Sequence, residues 1–552
     1  MVKKLLYWFR QPQPLWRYCL LVALLLTTAY NVTFAKAVQT SLPQGNAVFV
    51  VKLLFLLLFL HWFFISLFSL NRLTQWVAAT LVLVAAIAVY FENEYGIIID
   101  KSMLQNAVET DVAEVSGLLN SKFFFYLVFY GLLPAGFLLW ITIKKQHGFR
   151  LLGGWAGRVT IPFLLICLTI FTSYKDFSSY FRNHQSAKYF AAPMNVVMST
   201  SALSRDFIHR WQVPKFDDLT ADTHPVVHAT GKPRLLVIVV GETARADHFG
   251  LNGYSRNTTP MLSRRDILNF DSVSSCGTAT AVSVPCMFSW LPRKDYDDAT
   301  AKHSSNLLDF VTKAGISVLW RDNNSGCKEM CNRVPTENAG QELSDAILCE
   351  KFHCRDDILL QNFADEVAAL PNGDKLIVLH QLGSHGPEYF KRSAQMEKQF
   401  MPECHTSELQ NCTADEITNA YDNSIVATDA FLDRTISTLQ SLSPQYDTAM
   451  VYLSDHGESL GENGLYLHGM PYLFAPASQT HVPMIVWMSD VYKVDEGISE
   501  NCLRSQTHAN ISHDNFFHTV LGMFEVEDSH YNAALDIFAP CKHQAGNLLT
   551  AG

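Results

Sequence analysis

The segment around Thr280 favours nucleophilic catalysis by a hydroxyl group that the backbone holds in a fixed position. The segment places hydroxyl side chains between Cys276 and Cys286, and a bridge between these cysteines would hold one hydroxyl in a fixed position. A free hydroxyl is a weak nucleophile and must be activated by a base or by a metal ion. We expect Thr280 to be the nucleophile, at a helix start where backbone N–H groups also favour a phosphate.

Three other hydroxyl residues of this segment compete with the threonine. Thr278, Ser275 and Ser283 are rivals on spacing alone. A Ser/Thr-rich stretch between cysteines is also common in ordinary surface loops, so the assignment depends on residues elsewhere in the chain.

Acidic and imidazole side chains that follow two apolar runs predict a metal site next to this hydroxyl. Glu242 follows RLLVIVVG, and Asp455 and His456 follow TAMVYLS. Zinc prefers carboxylate oxygen and imidazole nitrogen at about 2.0–2.2 Å, usually with four ligands. We therefore predict a zinc ion held by these three residues and the oxygen of Thr280. An isolated Asp-His-Gly would more often cap the start of a helix.

Two further histidines and a pair of amide and amine side chains have the chemistry to handle a phosphate. His385 lies in GSHGP and His468 in YLHGMP, and each could bind a second metal ion or act as general acid. Asn324 and Lys328 could bind phosphate oxygens. The alternatives are structural histidines and a solvated surface lysine.

The apolar runs that precede these residues indicate an α/β domain. RLLVIVVG, ISVLW, KLIVLH, TAMVYLS and VPMIVW are short and rich in β-branched residues, and helical patterns near 304–314 and 415–442 lie among them. This alternation predicts a mostly parallel sheet covered on both faces, in a catalytic domain over 233–552. Because sites in such sheets form at the carboxyl ends of the strands, the polar residues above should share one edge.

The N-terminal part of the chain predicts a membrane domain over residues 1–174. The chain has 552 residues, of which 49% are hydrophobic, and a mean hydropathy of +0.08, which is unusual for a soluble enzyme. Each apolar stretch approaches the roughly 20 residues that cross a bilayer as a helix. The stretches are 15–35, 47–69, 75–91, 123–143 and 158–174. A cleaved signal peptide is an alternative for the first stretch alone.

Charge predicts the orientation of these helices. Lys and Arg residues precede the first stretch, separate the second from the third, and separate the fourth from the fifth, so these segments should be cytoplasmic. The acidic loop 92–122 and everything after residue 175 then lie on the opposite, periplasmic side, with 175–232 as a partly helical bridging segment. The net charge of −10 and the absence of a dense basic run argue against nucleic acid as a partner.

Cysteine usage supports an oxidising compartment for the C-terminal part. Of 12 cysteines, Cys19 and Cys167 lie in the predicted membrane helices and the others cluster in twos further on. We expect disulfides, although zinc-binding thiolates and free cysteines are alternatives and connectivity stays open. The expected pairs are Cys276 with Cys286, Cys327 with Cys331, Cys349 with Cys354, Cys404 with Cys412, and Cys502 with Cys541.

Long motifs in the sequence resemble one family of membrane enzymes. VVGETARADHFGLNGYSRNTTPML, SCGTATAVSVPCMFS, LWRDNNSGCK, GSHGP and LSDHGESLGENGLYLHGMP are similar to motifs of the lipid A phosphoethanolamine transferases, the EptA/PmrC group that includes the mobile colistin-resistance enzymes. The resemblance covers nearly the whole chain. It implies an alkaline phosphatase/sulfatase-like catalytic domain beside a five-helix transmembrane domain.

The resemblance also implies roles for individual residues. Thr280 matches the nucleophile, and Glu242, Thr280, Asp455 and His456 match the zinc ligands. The remaining matches concern a second metal ion or the substrate. They are His385 and His468 for a second metal or the substrate phosphate, Asn324 and Lys328 for phosphoethanolamine, and Asn106, Thr110 and Glu114 of the acidic loop for the ethanolamine end of the donor.

The reaction implied is a transfer of phosphoethanolamine from phosphatidylethanolamine to a phosphate of lipid A, through a phosphoethanolamine-threonine intermediate and with release of diacylglycerol. We expect a monomer in the bacterial inner membrane and a lower attraction of the modified surface for polymyxins. A phosphatase or sulfatase, a phosphoglycerol transferase and a non-enzymatic membrane sensor are the alternatives.

Overall fold

The described part of the chain forms two compact units. The computed structural model describes residues 11–40, 47–109, 117–183, 185–212, 216–224, 231–343, 345, 347–350 and 353–542. The first unit, called the membrane unit below, comprises residues up to Leu104 together with Leu119–Ser204. The second, called the catalytic unit, comprises Gln105–Leu118 and the chain from Arg205 onward.

Long apolar helices dominate the membrane unit. Its helices are α1 (Leu15–Ala29), α2 (Val32–Thr40), α3 (Ala47–Leu67), α4 (Arg72–Tyr95), α5 (Lys101–Glu109, which continues into the catalytic unit), α6 (Ser121–Trp140), α7 (Gly148–Asn183) and α8 (Met194–Gln212). Within the described residues, α3, α4, α6 and the part of α7 up to Tyr174 are each long and apolar enough to cross a membrane. The α1–α2 pair is bent by 53° and would be a fifth span if it counts as one.

Two predicted boundaries of the membrane domain differ from the structure. Helix α4 extends to Tyr95, so Glu92 lies on this helix and not in the predicted loop 92–122. Its buried carboxylate accepts a hydrogen bond from Asn195 Nδ2 at 2.7 Å. Helix α7 begins at Gly148, so Arg158 lies inside it. Its guanidinium donates to the Ser69 hydroxyl and carbonyl at 2.9 and 3.0 Å. Hydropathy marks only the apolar centre of a membrane helix. The helix itself is longer, because its polar end turns are stabilised by bonds to neighbouring segments.

One eight-stranded sheet organises the described residues of the catalytic unit. Its strands, with two small hairpins, are β1 (Arg234–Gly241), β2 (Leu268–Ser274), β3 (Ser317–Asp322), β4 (Thr336–Asn338), β5 (Cys349–Glu350), β6 (His353–Cys354), β7 (Lys375–His380), β8 (Asp447–Ser454), β9 (Ser459–Leu460), β10 (Tyr466–Leu467), β11 (His481–Met488) and β12 (Ile511–Ser512). The order in the large sheet is β12-β2-β11-β8-β1-β7-β3-β4.

The predicted, mostly parallel α/β sheet is confirmed. Strand β1 pairs in parallel with both β7 and β8, and β3 extends the parallel set, whereas β11 is antiparallel to β8 and β2. Every residue of β1, β7 and β8 is buried, as expected for strands covered on both faces. Their carboxyl ends therefore meet at one edge of the sheet, next to each other.

Helices on both sides of the sheet complete the core. They are α9 (Thr280–Met287), α10 (Asp298–His303), α11 (Leu307–Lys313), α12 (Ala339–Glu342), α13 (Phe363–Ala369), α14 (Ala414–Leu442), α15 (Ala477–Thr480), α16 (Asp490–Asp495), α17 (Glu500–Gln506) and α18 (Asp514–Met523). Helix α14 begins with a capping box in which the Thr413 hydroxyl accepts from the Glu416 N–H and the Glu416 carboxylate accepts from the Thr413 N–H.

Five disulfides join the cysteines of the catalytic unit in the expected pairs. Cys276–Cys286 brackets the turn into α9, while Cys502–Cys541 ties α17 to the end of the described chain. Cys19 and Cys167 of the membrane unit are free.

Candidate active site

Three potential metal ligands meet at the carboxyl edge of the parallel strands. Glu242 follows β1, and Asp455 and His456 follow the neighbouring β8. One ligand atom of each residue lies within 4.8 Å of those of the other two. The His456 Nε2 atom is 3.5 Å from Glu242 Oε1 and 3.4 Å from Asp455 Oδ2, and all three side chains are buried.

The hydroxyl of Thr280 completes this cluster. Thr280 is the first residue of α9, and its Oγ1 donates to Glu242 Oε2 at 2.9 Å and lies 3.4 Å from His456 Nε2. The backbone N–H groups of the first turn of α9 have the direction that favours an anion. The structure thus brings together four residues that are separated by about two hundred positions in the sequence.

The rival hydroxyls of the segment are engaged elsewhere. Thr278 Oγ1 donates to the Met470 carbonyl at 2.6 Å, and Ser275 Oγ donates to the Gly277 carbonyl at 2.6 Å. Ser283 Oγ accepts from the Gly277 N–H at 2.9 Å. These three hydroxyls shape the turn before α9, whereas the Thr280 hydroxyl faces the acidic cluster.

The electrostatics of the cluster favour a bound cation. Burial raises the pKa of the Glu242 carboxyl, but neighbouring groups, among them the Asn324 amide that donates to it, hold this pKa below its ordinary value. Burial and the adjacent Glu242 charge hold the pKa of the Asp455 carboxyl well above its ordinary value. Two buried carboxyls this close resist being ionised together unless a positive charge lies between them.

His456 is in the state that a metal ligand requires. Burial is the main cause that lowers its pKa to about 3, so the imidazole is neutral. Its Nδ1 lies 2.9 Å from the Gly457 carbonyl, an acceptor that places the ring proton on Nδ1. The lone pair of Nε2 then points towards the carboxylates and is available for coordination.

Two orphaned oxygens test whether the residues fit a metal ion. Glu242 Oε1 and Asp455 Oδ2 are fully buried, and neither has a hydrogen-bond partner among the described residues. Buried polar atoms are normally satisfied, so oxygens left in this way mark a place for an electropositive group. Two carboxylates, a neutral imidazole and a hydroxyl form a donor set that suits a divalent ion of the zinc type.

A second layer of contacts holds Glu242 in place. Asn324 Nδ2 donates to Glu242 Oε2 at 2.8 Å and to the Gln381 carbonyl at 2.8 Å. Gly383 has a φ of +51°, and a Cβ there would lie 2.6 Å from the Glu242 carbonyl oxygen, so only glycine allows this approach. Asn324, which the sequence suggested as a phosphate ligand, thus also orients a metal ligand.

His468 and His385 stand beside the cluster. The ring centre of His468 is 4.5 Å from that of His456 and 5.2 Å from that of His385. His468 Nδ1 lies 2.8 Å from Glu458 Oε2. Burial opposes protonation of His468, but the Glu458 carboxylate outweighs it and raises the pKa of the imidazole. His468 therefore packs against the candidate ligand His456, and His385 packs against His468.

Lys328 is directed at the acidic segment that the sequence assigned to the donor's ethanolamine. Its Nζ donates to Ser325 Oγ at 2.8 Å and to the Glu109 carbonyl at 3.2 Å. The Glu109 carboxylate in turn pairs with Lys302 Nζ at 3.1 Å. Asn106 lies buried on the same helix, α5. Thr110 and Glu114 lie outside the described residues.

His513 is a site residue that the sequence did not indicate. Its Nδ1 accepts from the Cys276 N–H at 3.1 Å, and its Nε2 donates to the Ser454 carbonyl at 3.0 Å. The buried ring thereby joins the turn that leads to Thr280 with the strand end that carries Asp455. No nearby motif marks it, because its partners are set by the pairing of β12 with β2.

Each of the two units contains a region that matches a known family model. Residues 57–206 match the family model "Phosphoethanolamine transferase EptA/EptB", and residues 234–526 match the model "Sulfatase". The two matched regions fall largely within the membrane unit and the catalytic unit, respectively.

Relatives match over nearly the full length. The phosphoethanolamine transferase EptA of Salmonella typhimurium is 39% identical over 530 residues, which is 95% of this chain and 96% of that protein. The phosphatidylethanolamine transferase Mcr-1 of Escherichia coli is 38% identical and aligns with 92% of this chain and 94% of its own length. The lipooligosaccharide phosphoethanolamine transferase A of Neisseria meningitidis has a TM-score of 0.92 at 34% identity, covering 96% of this chain and 99% of that one.

Proposed function

Because the chain belongs to the EptA family of phosphoethanolamine transferases, we propose that it moves phosphoethanolamine from phosphatidylethanolamine to a phosphate of lipid A. The observation that carries the proposal is the buried Thr280 hydroxyl, which donates to Glu242 at 2.9 Å inside a cluster that can hold a metal ion. No neighbouring hydroxyl of the segment has a comparable environment.

Zinc is the metal that we propose for the cluster. Glu242, Asp455, His456 and Thr280 would hold it, which matches the ligand types and the usual number for this ion. A zinc ion bound there would favour the alkoxide form of Thr280 and would offset negative charge on the transferred phosphoryl group. Asn324 and Gly383 keep Glu242 in position, so the threonine oxygen and the ligands stay aligned.

The first displacement loads the threonine. Thr280 has lost its proton to solvent, and its Oγ forms a bond to the phosphorus of the donor while the bond from phosphorus to the glycerol oxygen breaks. The leaving oxygen takes a proton from His385 or His468 and departs as diacylglycerol. The backbone N–H groups at the start of α9 stabilise charge on the phosphoryl oxygens.

The second displacement unloads it. An oxygen of a lipid A phosphate attacks the same phosphorus, and the bond to Thr280 Oγ breaks, which restores the enzyme. The histidine that gave up its proton recovers one from the acceptor phosphate. This order requires ping-pong kinetics and a covalent phosphoethanolamine adduct on Thr280.

The relatives and the apolar helices support the substrates and the location that we propose. The Mcr-1 relative is a phosphatidylethanolamine transferase, and the meningococcal relative acts on lipooligosaccharide, which supports a lipid donor and a lipid A acceptor. The apolar helices support an inner-membrane protein. We place the catalytic unit in the periplasm, where the added amine would reduce the attraction between lipid A and cationic polymyxins.

Mass spectrometry of lipid A tests the proposal directly. Cells that make the intact protein should yield lipid A that is heavier by one phosphoethanolamine, and cells that make Thr280→Ala should not. Thr278→Ala is the matched control, because its hydroxyl bonds to Met470 and we expect it to retain transfer. The purified protein incubated with donor alone should carry the group on Thr280.

The alternative functions give different results in the same experiment. A phosphatase or sulfatase would release free phosphoethanolamine rapidly into water without an acceptor, and a phosphoglycerol transferase would use phosphatidylglycerol. A sensor would work equally well with Thr280→Ala. Any of these outcomes would replace the proposed transfer.

A further inference from the structure

An exposed apolar loop lies beside the nucleophile and has no role in the chemistry described above. It consists of Tyr472, Leu473 and Phe474, which form a single 3-10 turn shortly after His468, and it is called the apolar crest below. Leu473 is 73% exposed. Tyr472 and Phe474 beside it are partly buried, so Leu473 is the most exposed apolar side chain of the turn.

The apolar crest is fixed to the turn that carries the nucleophile. The Gly469 N–H donates to the Thr278 carbonyl at 2.7 Å, and Thr278 Oγ1 returns a bond to the Met470 carbonyl at 2.6 Å. The Tyr472 hydroxyl donates to the Ser275 carbonyl at 2.8 Å. These three hydrogen bonds join the crest and the residues just before it to the turn that precedes Thr280, which fixes the position of the crest relative to that turn.

An arginine borders the crest, and a lysine follows it in the sequence. The Arg293 guanidinium carbon lies 3.4 Å from the centre of the Tyr472 ring, and its backbone N–H donates to Asp514 at 2.8 Å. Lys294 next to it has a side chain that is 79% exposed, with Asp295 3.8 Å away as its ion partner. An aliphatic tip, an aromatic ring and arginine together form the combination that binds lipid at a membrane surface.

We propose that the apolar crest, with Arg293, is a phospholipid-docking surface that covers the glycerol and first acyl carbons of the donor while the donor phosphate lies at Thr280. This inference rests on the proposed function. The phosphate of a phospholipid is only a few bonds from its acyl chains, so a site that takes the phosphate must also shield apolar carbons close by. Hydrogen bonds tether the crest to the turn that carries that threonine, and Arg293 complements the negative surface of the membrane.

The chain offers a matched control on the other side of the sheet. Val494 is 75% exposed on α16. Helix α16 follows the last residue of β11, Met488, which pairs with Ala449 near the start of β8. The first residue of β11, His481, pairs with Ser274 at the opposite edge, where the active site lies. Helix α16 is therefore at the edge of the sheet away from the active site. Leu473 and Val494 thus have similar exposure at opposite edges of one sheet.

The first test compares two donors with the full-length protein in phospholipid nanodiscs. For Leu473→Asp, the ratio of kcat/KM for phosphatidylethanolamine to that for glycerophosphoethanolamine, which lacks acyl chains, should fall about tenfold, because one aliphatic contact is lost. Val494→Asp should leave the ratio unchanged. An unchanged ratio for Leu473→Asp, or an equal change for both variants, would refute the docking surface.

The second test does not depend on turnover. Photocrosslinking of Leu473→p-benzoylphenylalanine in the same nanodiscs should yield a phospholipid adduct, and the same replacement at Val494 should not. A crosslink from position 473 to a second copy of the chain, or none to lipid, would overturn the inference. If the intact protein forms no adduct on Thr280 while position 473 still crosslinks lipid, the proposed transfer fails and the lipid contact stands.

Discussion

Among single residues, Thr280 differs from the neighbouring hydroxyl residues in its hydrogen-bond partner, although all of them carry the same functional group. The hydroxyls of Thr278 and Ser283 bond to backbone atoms. Thr280 instead donates to Glu242, whose other oxygen, like Asp455 Oδ2, has no hydrogen-bond partner among the described residues. An alcohol becomes a nucleophile only where positive charge can stabilise its deprotonated form. The arrangement around Glu242 and Asp455 provides the place for that charge.

His513→Ala should weaken the site without removing any ligand. His513 joins the Cys276 backbone to the Ser454 carbonyl, so its loss frees the two segments that carry Thr280 and Asp455. We expect zinc affinity and kcat to fall by about tenfold or more, as for other indirect partners of metal ligands. Zinc titration followed by steady-state kinetics measures both.

His518→Ala is the control for that experiment. His518 is also a buried histidine on α18, but its Nδ1 accepts from the Asn532 N–H, away from the site. We expect its zinc affinity to equal that of the intact protein. Equal losses in the two variants would mean that His513 acts only through general stability.

At the scale of elements, each end of β1 has its own task. Its carboxyl end presents Glu242, while its first residue, Arg234, is fully buried and pairs with Asp374 at 2.6 Å and with Glu496 at 3.4 Å. This ion cluster fixes the amino ends of β1 and β7, where Asp374 precedes the strand. Anchoring on one edge and chemistry on the other is the division expected of a parallel sheet.

Arg234→Met should destabilise the protein and spare the site. Removing the buried guanidinium takes away the ion partner of Asp374 and leaves Glu496 with the longer contact to Lys542 at 3.5 Å, which costs about 3–5 kcal/mol in the free energy of unfolding. Urea unfolding followed by fluorescence measures the loss, and zinc affinity should stay unchanged in the folded protein. Arg504→Met, which removes an exposed ion pair with Glu500, should cost less than about 1 kcal/mol. Similar costs for the two variants would contradict a structural role of the buried cluster.

At the scale of the whole molecule, cysteine chemistry separates the two units. All cysteines described in the catalytic unit form disulfides, whereas those of the membrane unit, Cys19 and Cys167, are free thiols. Disulfides persist in oxidising compartments. The distribution therefore supports a periplasmic catalytic unit.

Thiol counting checks this distribution. Protein extracted from membranes, unfolded without reductant and alkylated, should gain two labels per chain, at Cys19 and Cys167, and the 12 labels expected from its cysteine content after reduction. Intact-protein mass spectrometry gives the count. A catalytic unit on the cytoplasmic side would show many more labels before reduction, and the periplasmic assignment would then be wrong.

The membrane helices show where local patterns stop being informative. Apolar stretches predicted the spans, but α4 extends past its stretch to Tyr95, and α7 begins at Gly148, before the predicted start at 158. Glu92 of α4 and Arg158 of α7 bond to Asn195 and Ser69. Such polar residues remain helical because of partners on other segments. Hydropathy within a window contains no information about those partners.

Local patterns were enough to predict the α/β order of the catalytic unit and the edge at which Glu242, Asp455 and His456 meet. A buried parallel strand needs a continuous apolar run, and the polar residues must follow its end. The sequence also indicated the cysteine pairs, which lie close along the chain. Tertiary structure alone decided that Thr280 and not Thr278 faces the carboxylates, that Asn324 holds Glu242, and that His513 joins two distant turns. These facts depend on contacts between segments far apart in sequence, and such contacts are set by the packing of the whole sheet.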